Sequence, residues 1–203
     1  MDALAVQERQ KYERLWSLFP DEEKNYPSDF LTPVFLSYFQ NSINSGDSVI
    51  DFGCGGGKSA AYLLNAGLQV KLVDFCDNYL NSDIFLLSCG AERKVEFFQE
   101  CLWDLSNSLK PADWILSFDV LEHIPESKVD AVLQAMSLRM KKGGLFSICL
   151  RNDECGKWIG ETLHLTVKPQ EWWKEKVLQW FSIDRELANV PMSVVWAISP
   201  RRK

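Results

Sequence analysis

The stretch that most constrains this chain runs from Val49 to Asp74, V-I-D-F-G-C-G-G-G-K-S-A-A-Y-L-L-N-A-G-L-Q-V-K-L-V-D. A short apolar run at Val49 and Ile50 leads into a turn through Gly53, Cys54, Gly55, Gly56 and Gly57. Ala60, Ala61, Leu63 and Leu64 follow in a helical pattern, and Ala66-Gly67 closes that helix. A second apolar run, Val70 to Val73, ends on Asp74. Strand, glycine turn, helix, strand and acid is the layout of a nucleotide-binding βαβ unit. The glycines let backbone N–H groups approach a ligand and tolerate positive φ. The helix N-terminus carries partial positive charge, and the terminal acid can accept both hydroxyls of a ribose. The stretch therefore points to an adenosine-containing ligand.

The spacing is acid-x-Gly-x-Gly-x-Gly, Asp51-x-Gly53-x-Gly55-x-Gly57. The dinucleotide fingerprint G-x-G-x-x-G fails on it, and no G-x-x-x-x-G-K-[ST] phosphate loop is present.

Before this unit, Tyr12, Leu15, Trp16 and Phe19 follow the apolar spacing of an amphipathic helix ended by Pro20. Thr32 with Pro33 reads as the cap and first position of a second helix carrying Val34, Phe35, Leu36, Tyr38 and Phe39. These helices read either as a lid over a pocket or as packing for one sheet face. After Asp74, Tyr79 to Cys89 is expected to be helical and Val95 to Leu102 a strand. A further strand covers Ala112 to Val120, and Ile124-Pro125-Glu126 starts a helix. Gly143-Gly144 is expected to end that helix, with the next strand at Leu145 to Leu150. Glu171 to Leu178 reads as a helix, and Trp180 to Leu187 with Ser193 to Ile198 as a terminal hairpin. Alternating strands and helices imply an α/β fold, Rossmann-like, with a mostly parallel sheet and helices on both faces.

At 203 residues the chain suits one domain. We divide it into an N-terminal helical cap, residues 1–45, and a cofactor-binding core, residues 46–203. The formal net charge of −6 argues against a phosphate-driven nucleic-acid binder, so no DNA partner is expected. Six cysteines without a C-x-x-C, and only two histidines, make a zinc site unexpected. Scattered thiols fit a reducing, cytoplasmic setting. No signal peptide is apparent, and no apolar run is long enough to predict a membrane span.

Asp51 to Gly57 with Asp74 resembles motif I of the class I S-adenosylmethionine-dependent methyltransferases. The run Phe118-Asp119-Val120-Leu121-Glu122-His123-Ile124-Pro125 resembles the D-x-L-E-H-x-P segment after that family's fourth strand. The likeness is to small-molecule enzymes such as the ubiquinone-biosynthesis O-methyltransferases, and it runs from about Asp47 to Ser199. It implies a seven-stranded sheet with an antiparallel last strand, and S-adenosylmethionine as cofactor. It places the methionine end at Asp51, Gly53, Gly55 and Gly57, and the ribose at Asp74 beside Phe75. Trp103-Asp104 would then meet the adenine, with Asp104 taking its amino group, while Phe118 and Asp119 border the cofactor. His123 and His164 are the candidate bases, because histidine titrates nearest neutrality. Glu122 reads as a helix-start acid. Trp158, Trp172 and Trp173 read as core or as walls of an acceptor pocket.

The fourth-strand segment carries neither N/D-P-P-Y/F nor a Pro-Cys nucleophile, which disfavours nucleic-acid amino-methyltransferases and cytosine-C5 enzymes. A small-molecule or sugar-like acceptor methylated at oxygen or nitrogen is the expected chemistry. An RNA or protein acceptor, and a non-catalytic cofactor binder, are the alternatives.

Overall fold

A computed structural model of the chain describes residues 2–18, 27–89, 95–187 and 192–201. Its centre is a seven-stranded sheet in the order β3-β2-β1-β4-β5-β7-β6. The strands are β1 Ser48–Phe52, β2 Gln69–Asp74, β3 Val95–Gln99, β4 Ala112–Phe118, β5 Met140–Cys149, β6 Phe181–Glu186 and β7 Ser193–Pro200. The first five pair in parallel, and β7 runs antiparallel to both β5 and β6. The helices are α1 Ala3–Ser17, α2 Pro27–Tyr38, α3 Ser59–Asn65, α4 Ser82–Cys89, α5 Val129–Ser137 and α6 Gln170–Leu178. No described helix is long and apolar enough to cross a membrane.

Side chains alternate across each strand, so the sheet sorts them into two cores. Ile115 of β4 faces a core with Phe52, Phe146 and Trp196, covered by Val132, Met136 of α5 and Trp173, Val177 of α6. Its neighbours Trp114 and Leu116 face the other core, covered by Phe35 of α2, Leu63 of α3 and Ile84 of α4.

Several boundaries differ from the sequence expectation. α2 begins at Pro27, and Thr32-Pro33 lies inside it, with Thr32 buried. Proline suits a first turn, and Pro27 takes that position. α4 begins at Ser82, after Asn81 Oδ1 accepts from the Asp83 and Ile84 amides. β3 stops at Gln99, short of Leu102. Gly143-Gly144 does not end a helix but lies inside β5. A Cβ on Gly143 would stand 2.8 Å from the Ile198 carbonyl oxygen, and one on Gly144 would collide with the Ile115 carbonyl. These glycines serve close strand approach, a use of glycine that a helix-end pattern cannot distinguish. After β4 the chain makes two 3-10 turns, Leu121–His123 and Glu126–Lys128, before α5 starts at Val129. The expected Phe19 and Pro20 lie outside the described residues, as do residues 188–191 between the two strands of the terminal hairpin.

The two N-terminal helices divide the roles considered for them. α2 packs on the sheet, with Phe35 and Trp114 rings 5.8 Å apart. α1 instead crosses the carboxyl edge of the strands. Asp2 caps it, accepting from the Ala5 amide at 2.8 Å, and also pairs with Lys128 at 2.9 Å. Leu15 packs there with Cys76 and Leu163.

Candidate active site

In an open parallel sheet, ligands bind beyond the carboxyl ends of the strands where strand order reverses. Here that point lies between β1 and β4, and a cavity of about 520 Å³ opens there. Every parallel strand supplies a segment to its lining: Gly53 after β1, Asp74 and Phe75 at the end of β2, Trp103 after β3, Asp119 after β4, and Arg151 after β5.

The glycine turn is built by two different constraints. Gly53 has φ +73°, and a Cβ there would stand 2.5 Å from Val120 Cγ2. Gly55 has φ +51°, and a Cβ there would meet nothing within 4 Å. Gly53 is thus a packing glycine against the segment after β4, while Gly55 opens space. Gly57 is turned away from the cavity lining, toward Leu72, Leu80 and Ile84.

Asp74 anchors the turn. Its Oδ2 accepts from the Gly55 amide at 2.9 Å and its Oδ1 from the Cys76 amide at 3.0 Å. Each oxygen keeps a second lone-pair site, so the carboxylate can take two further donors. Burial raises its pKa against the pull of those amides. Asp51 is buried behind the turn and accepts from the Ser59 hydroxyl. Burial pushes its pKa up to about 6; the Asp74 charge adds to the rise and Ser59 opposes it.

Asp119 ends β4 with φ +52°, a left-handed conformation uncommon outside glycine. It accepts from the Ser147 hydroxyl, and burial raises its pKa. The chain then folds back so that Glu122 is fully buried. Glu122 lies in the first turn of the 3-10 segment Leu121–His123, and its Oε1 accepts from the Cys149 amide at 3.0 Å, bracing the end of β5. Burial, reinforced by Asp119, keeps this carboxyl well above the usual range. Thr166 ties the same segment to the later loop, donating its amide to the Glu122 carbonyl and its hydroxyl to the Ile124 carbonyl.

This bracing brings the two histidines together, with ring centroids 4.6 Å apart and edge to face. Their surroundings differ. His123 Nδ1 stands 2.6 Å from the Tyr12 hydroxyl of α1 and 3.1 Å from the Leu163 carbonyl. Burial, with His164 adding to it, drives its pKa down to about 3, so the ring stays neutral. His164 donates Nδ1–H to the Arg151 carbonyl at 2.6 Å, which leaves Nε2 as its basic nitrogen. Burial lowers its pKa, but hydrogen bonds with Cys149 and that carbonyl outweigh it and the net shift is upward. The Cys149 thiol is raised by burial and lowered more by His164, for a net fall.

Of the residues expected at a site, Asp51, Gly53, Gly55, Asp74, Phe75, Trp103, Phe118, Asp119, His123 and His164 all line the cavity. Gly57 and Asp104 do not, and Asp104 is exposed. None of the three tryptophans considered as acceptor walls lines it. Trp173 is buried in the core under α6, Trp172 packs beside it near Lys168 and Lys176, and Trp158 is 63% exposed. Sequence reading missed Glu8, Glu100 and Cys149 in the lining. Glu8 continues the Tyr12-Leu15-Trp16 stripe one turn earlier, and that position was the available signal. Glu122, Cys149 and His164 place three donor atoms within 4.8 Å of one another, the one such group among the described residues.

Comparison with known proteins agrees with this geometry. The chain is 28% identical over 151 residues to the ubiquinone biosynthesis O-methyltransferase of Idiomarina loihiensis, covering 72% of this chain and 59% of that one. It thus spans less than two thirds of that relative's length. A solved Pyrococcus horikoshii protein superposes with TM-score 0.72 at 16% identity, covering 92% of this chain and 98% of the other. Magnesium protoporphyrin IX methyltransferase from Synechocystis, solved with bound S-adenosylhomocysteine, superposes with TM-score 0.66 at 19% identity, covering 95% and 93%. At such identities the structural likeness establishes the fold. The sequence profile described as "Methyltransferase domain" matches residues 18–192, and the chain belongs to that family.

Proposed function

We propose that this protein transfers a methyl group from S-adenosylmethionine to an oxygen or nitrogen of a small-molecule acceptor. The observation that carries this reading is the Asp74 carboxylate, bonded to the Gly55 amide and facing the cavity at the strand-order switch. The cofactor fits that arrangement: the open space at Gly55 admits its methionine end, and the spare lone pairs of Asp74 suit two ribose hydroxyls. Asp51, Gly53 and Gly55 would hold the methionine end, with Gly57 supporting the turn from α4. Phe75 and Trp103 would flank the sugar and base, and Phe118 and Asp119 would border the reacting end. We assign the polar contact on the adenine side to Glu100, with Asp104 beyond it on the exposed edge.

When bound, the cofactor supplies an electrophilic methyl on a sulfonium: its carbon–sulfur bond breaks, a carbon–oxygen or carbon–nitrogen bond forms, and the electron pair stays on sulfur. The protein then has to align the acceptor, keep water out and take a proton. Tyr12 and Leu15 of α1 cover the cavity and serve the second task. His164 Nε2 is the group suited to the third, since its hydrogen bonds shift the ring's pKa upward from the ordinary histidine value and its Nδ1 is committed to the Arg151 carbonyl. His123, held neutral and bonded to Tyr12, positions the lid and the neighbouring ring. An RNA acceptor finds little support, because the lining holds no lysine and one arginine. We place the protein in the cytoplasm, a setting that the free thiols of Cys54, Cys76, Cys101, Cys149 and Cys155 suit.

The test is calorimetry with S-adenosylmethionine, followed by a turnover assay for S-adenosylhomocysteine in a metabolite extract. We expect binding, lost in Asp74→Ala, and product formation that depends on the extract. Absence of binding by the wild type would reject the reading.

A further inference from the structure

Glu122, Cys149 and His164 come from three separate segments: the turn after β4, the end of β5 and the loop before α6. One donor atom of each, a carboxylate oxygen, a sulfur and a ring nitrogen, all lie within 4.8 Å of one another. Short-range ligand spacing cannot register such a group, because its members are distant in sequence and meet only in the fold.

Two of the donors are already oriented by a further hydrogen bond. His164 donates Nδ1–H to the Arg151 carbonyl at 2.6 Å, so Nε2 carries the lone pair. Histidines that ligate metals are held in this way by a carbonyl or carboxylate on the other ring nitrogen. Glu122 uses Oε1 on the Cys149 amide at 3.0 Å, which ties the carboxylate to the residue that bears the thiol. Its Oε2 is buried with no hydrogen-bond partner, and no ion pair reaches Glu122 among the described residues. A buried carboxylate left without donor or cation is costly.

Cys149 and His164 line the cavity, while Glu122 is fully buried and is not part of the lining. An ion arriving from the cavity meets sulfur and nitrogen first. The carboxylate needs no opening of its own, since an ion seated between the other two donors reaches it. Zinc holds such ligands at about 2.0–2.3 Å, which places them roughly 3.5 Å from one another in a tetrahedron. The three atoms therefore need to draw in by little more than about 1 Å. One oxygen, one nitrogen and one sulfur suit zinc, whereas magnesium and calcium take oxygen.

We propose that Glu122, Cys149 and His164 bind a thiophilic divalent cation of the zinc class, with its fourth position open to the cavity. The ion takes the lone pair of His164 Nε2, the one that the proposed base uses, so ion binding and proton uptake exclude each other there. That exclusion rests on the methyltransferase reading above. The site itself does not, and it is measured without cofactor or acceptor.

The experiment titrates the full chain, its thiols reduced, with cobalt(II), whose bond to a thiolate gives a charge-transfer band in the near ultraviolet. We expect one cobalt per chain, the thiolate band, and displacement by one equivalent of zinc but not by a large excess of magnesium. Cys149→Ala should abolish the band. His164→Ala and Glu122→Gln should each weaken cobalt binding at least about tenfold, since loss of a group that merely orients a ligand already costs that much. Cys155→Ser removes an exposed thiol of the same lining and should leave band and affinity unchanged. No thiolate band in the wild type, a band that survives Cys149→Ala, a band lost in Cys155→Ser, or displacement by magnesium overturns the proposal. Should Cys149→Ala not fold by circular dichroism, the wild-type band and its persistence in Cys155→Ser decide. Failure of the wild type to bind S-adenosylmethionine rejects the methyltransferase reading and the exclusion at His164, and the cobalt titration still decides the site.

Discussion

His123 and His164 share one edge-to-face contact, yet their surroundings shift their pKa values in opposite directions. The chain has only these two histidines, so their proton signals are separable by NMR. We expect one imidazole signal to titrate above the ordinary histidine value of 6.5 and the other to stay flat down to about pH 4. His164→Ala should remove the titrating signal, and Cys149→Ser should move it toward lower pH. Two signals titrating together near 6.5 would contradict the burial argument. Asp51 gives a second pH signature. Its folded pKa of about 6 lies above the unfolded value, so its stability contribution is present below about pH 4 and is lost as pH rises through 6. Ligand-free Asp51→Asn should therefore melt above the wild type at pH 7.5, an advantage that shrinks by pH 4. A cationic cofactor favours the ionised form, so its binding should release a proton and strengthen between pH 5 and 7. Calorimetry in two buffers of different ionisation heat measures that proton.

At the scale of elements, the turn after β1 illustrates how one residue type serves separate ends. Gly53→Ala places a methyl group against Val120 in a left-handed backbone, and strain in that region alone costs roughly 1–2 kcal/mol. Gly55→Ala meets no protein atom within 4 Å. Thermal melts and S-adenosylhomocysteine titrations should therefore separate the two variants. Gly53→Ala loses the greater stability, part of which returns when Val120 is shortened to Ala. Gly55→Ala, at φ +51°, carries the same left-handed strain without the clash, so it loses less stability than Gly53→Ala but loses cofactor affinity. Equal losses of stability would place Gly55 in packing as well. α1 shows a related division, since Leu15 of its apolar stripe packs with Cys76 and Leu163 while Tyr12 of the same helix lines the cavity and bonds His123.

At the scale of the whole molecule, two cores on opposite sheet faces hold the five strand ends in register around the cavity. Trp173 is fully buried in one of them, on α6 and outside the cavity lining. Trp173→Ala should cost about 3–5 kcal/mol, a fall in melting temperature on the order of 10 °C. Its affinity for S-adenosylhomocysteine, measured at a temperature where it is folded, should stay within twofold. A selective loss of affinity without loss of stability would return Trp173 to the site. The core and the binding edge are separable because parallel strands bury their middles and present only their ends to ligand.

Local sequence determined the βαβ unit, the alternation of strands and helices, and the terminal hairpin, because side-chain periodicity and glycine chemistry act over a few residues. Asp74 was legible for the same reason, lying where an apolar run stops. The bounds of β3 and β5 were not, since whether a glycine ends a helix or admits a neighbouring strand depends on Ile115 and Ile198, distant in sequence. The meeting of His123 with His164, the bracing role of Glu122, and the place of Glu8 in the cavity were decided by tertiary structure alone. They arise from contacts between segments tens of residues apart, and burial then sets which of these groups hold a proton.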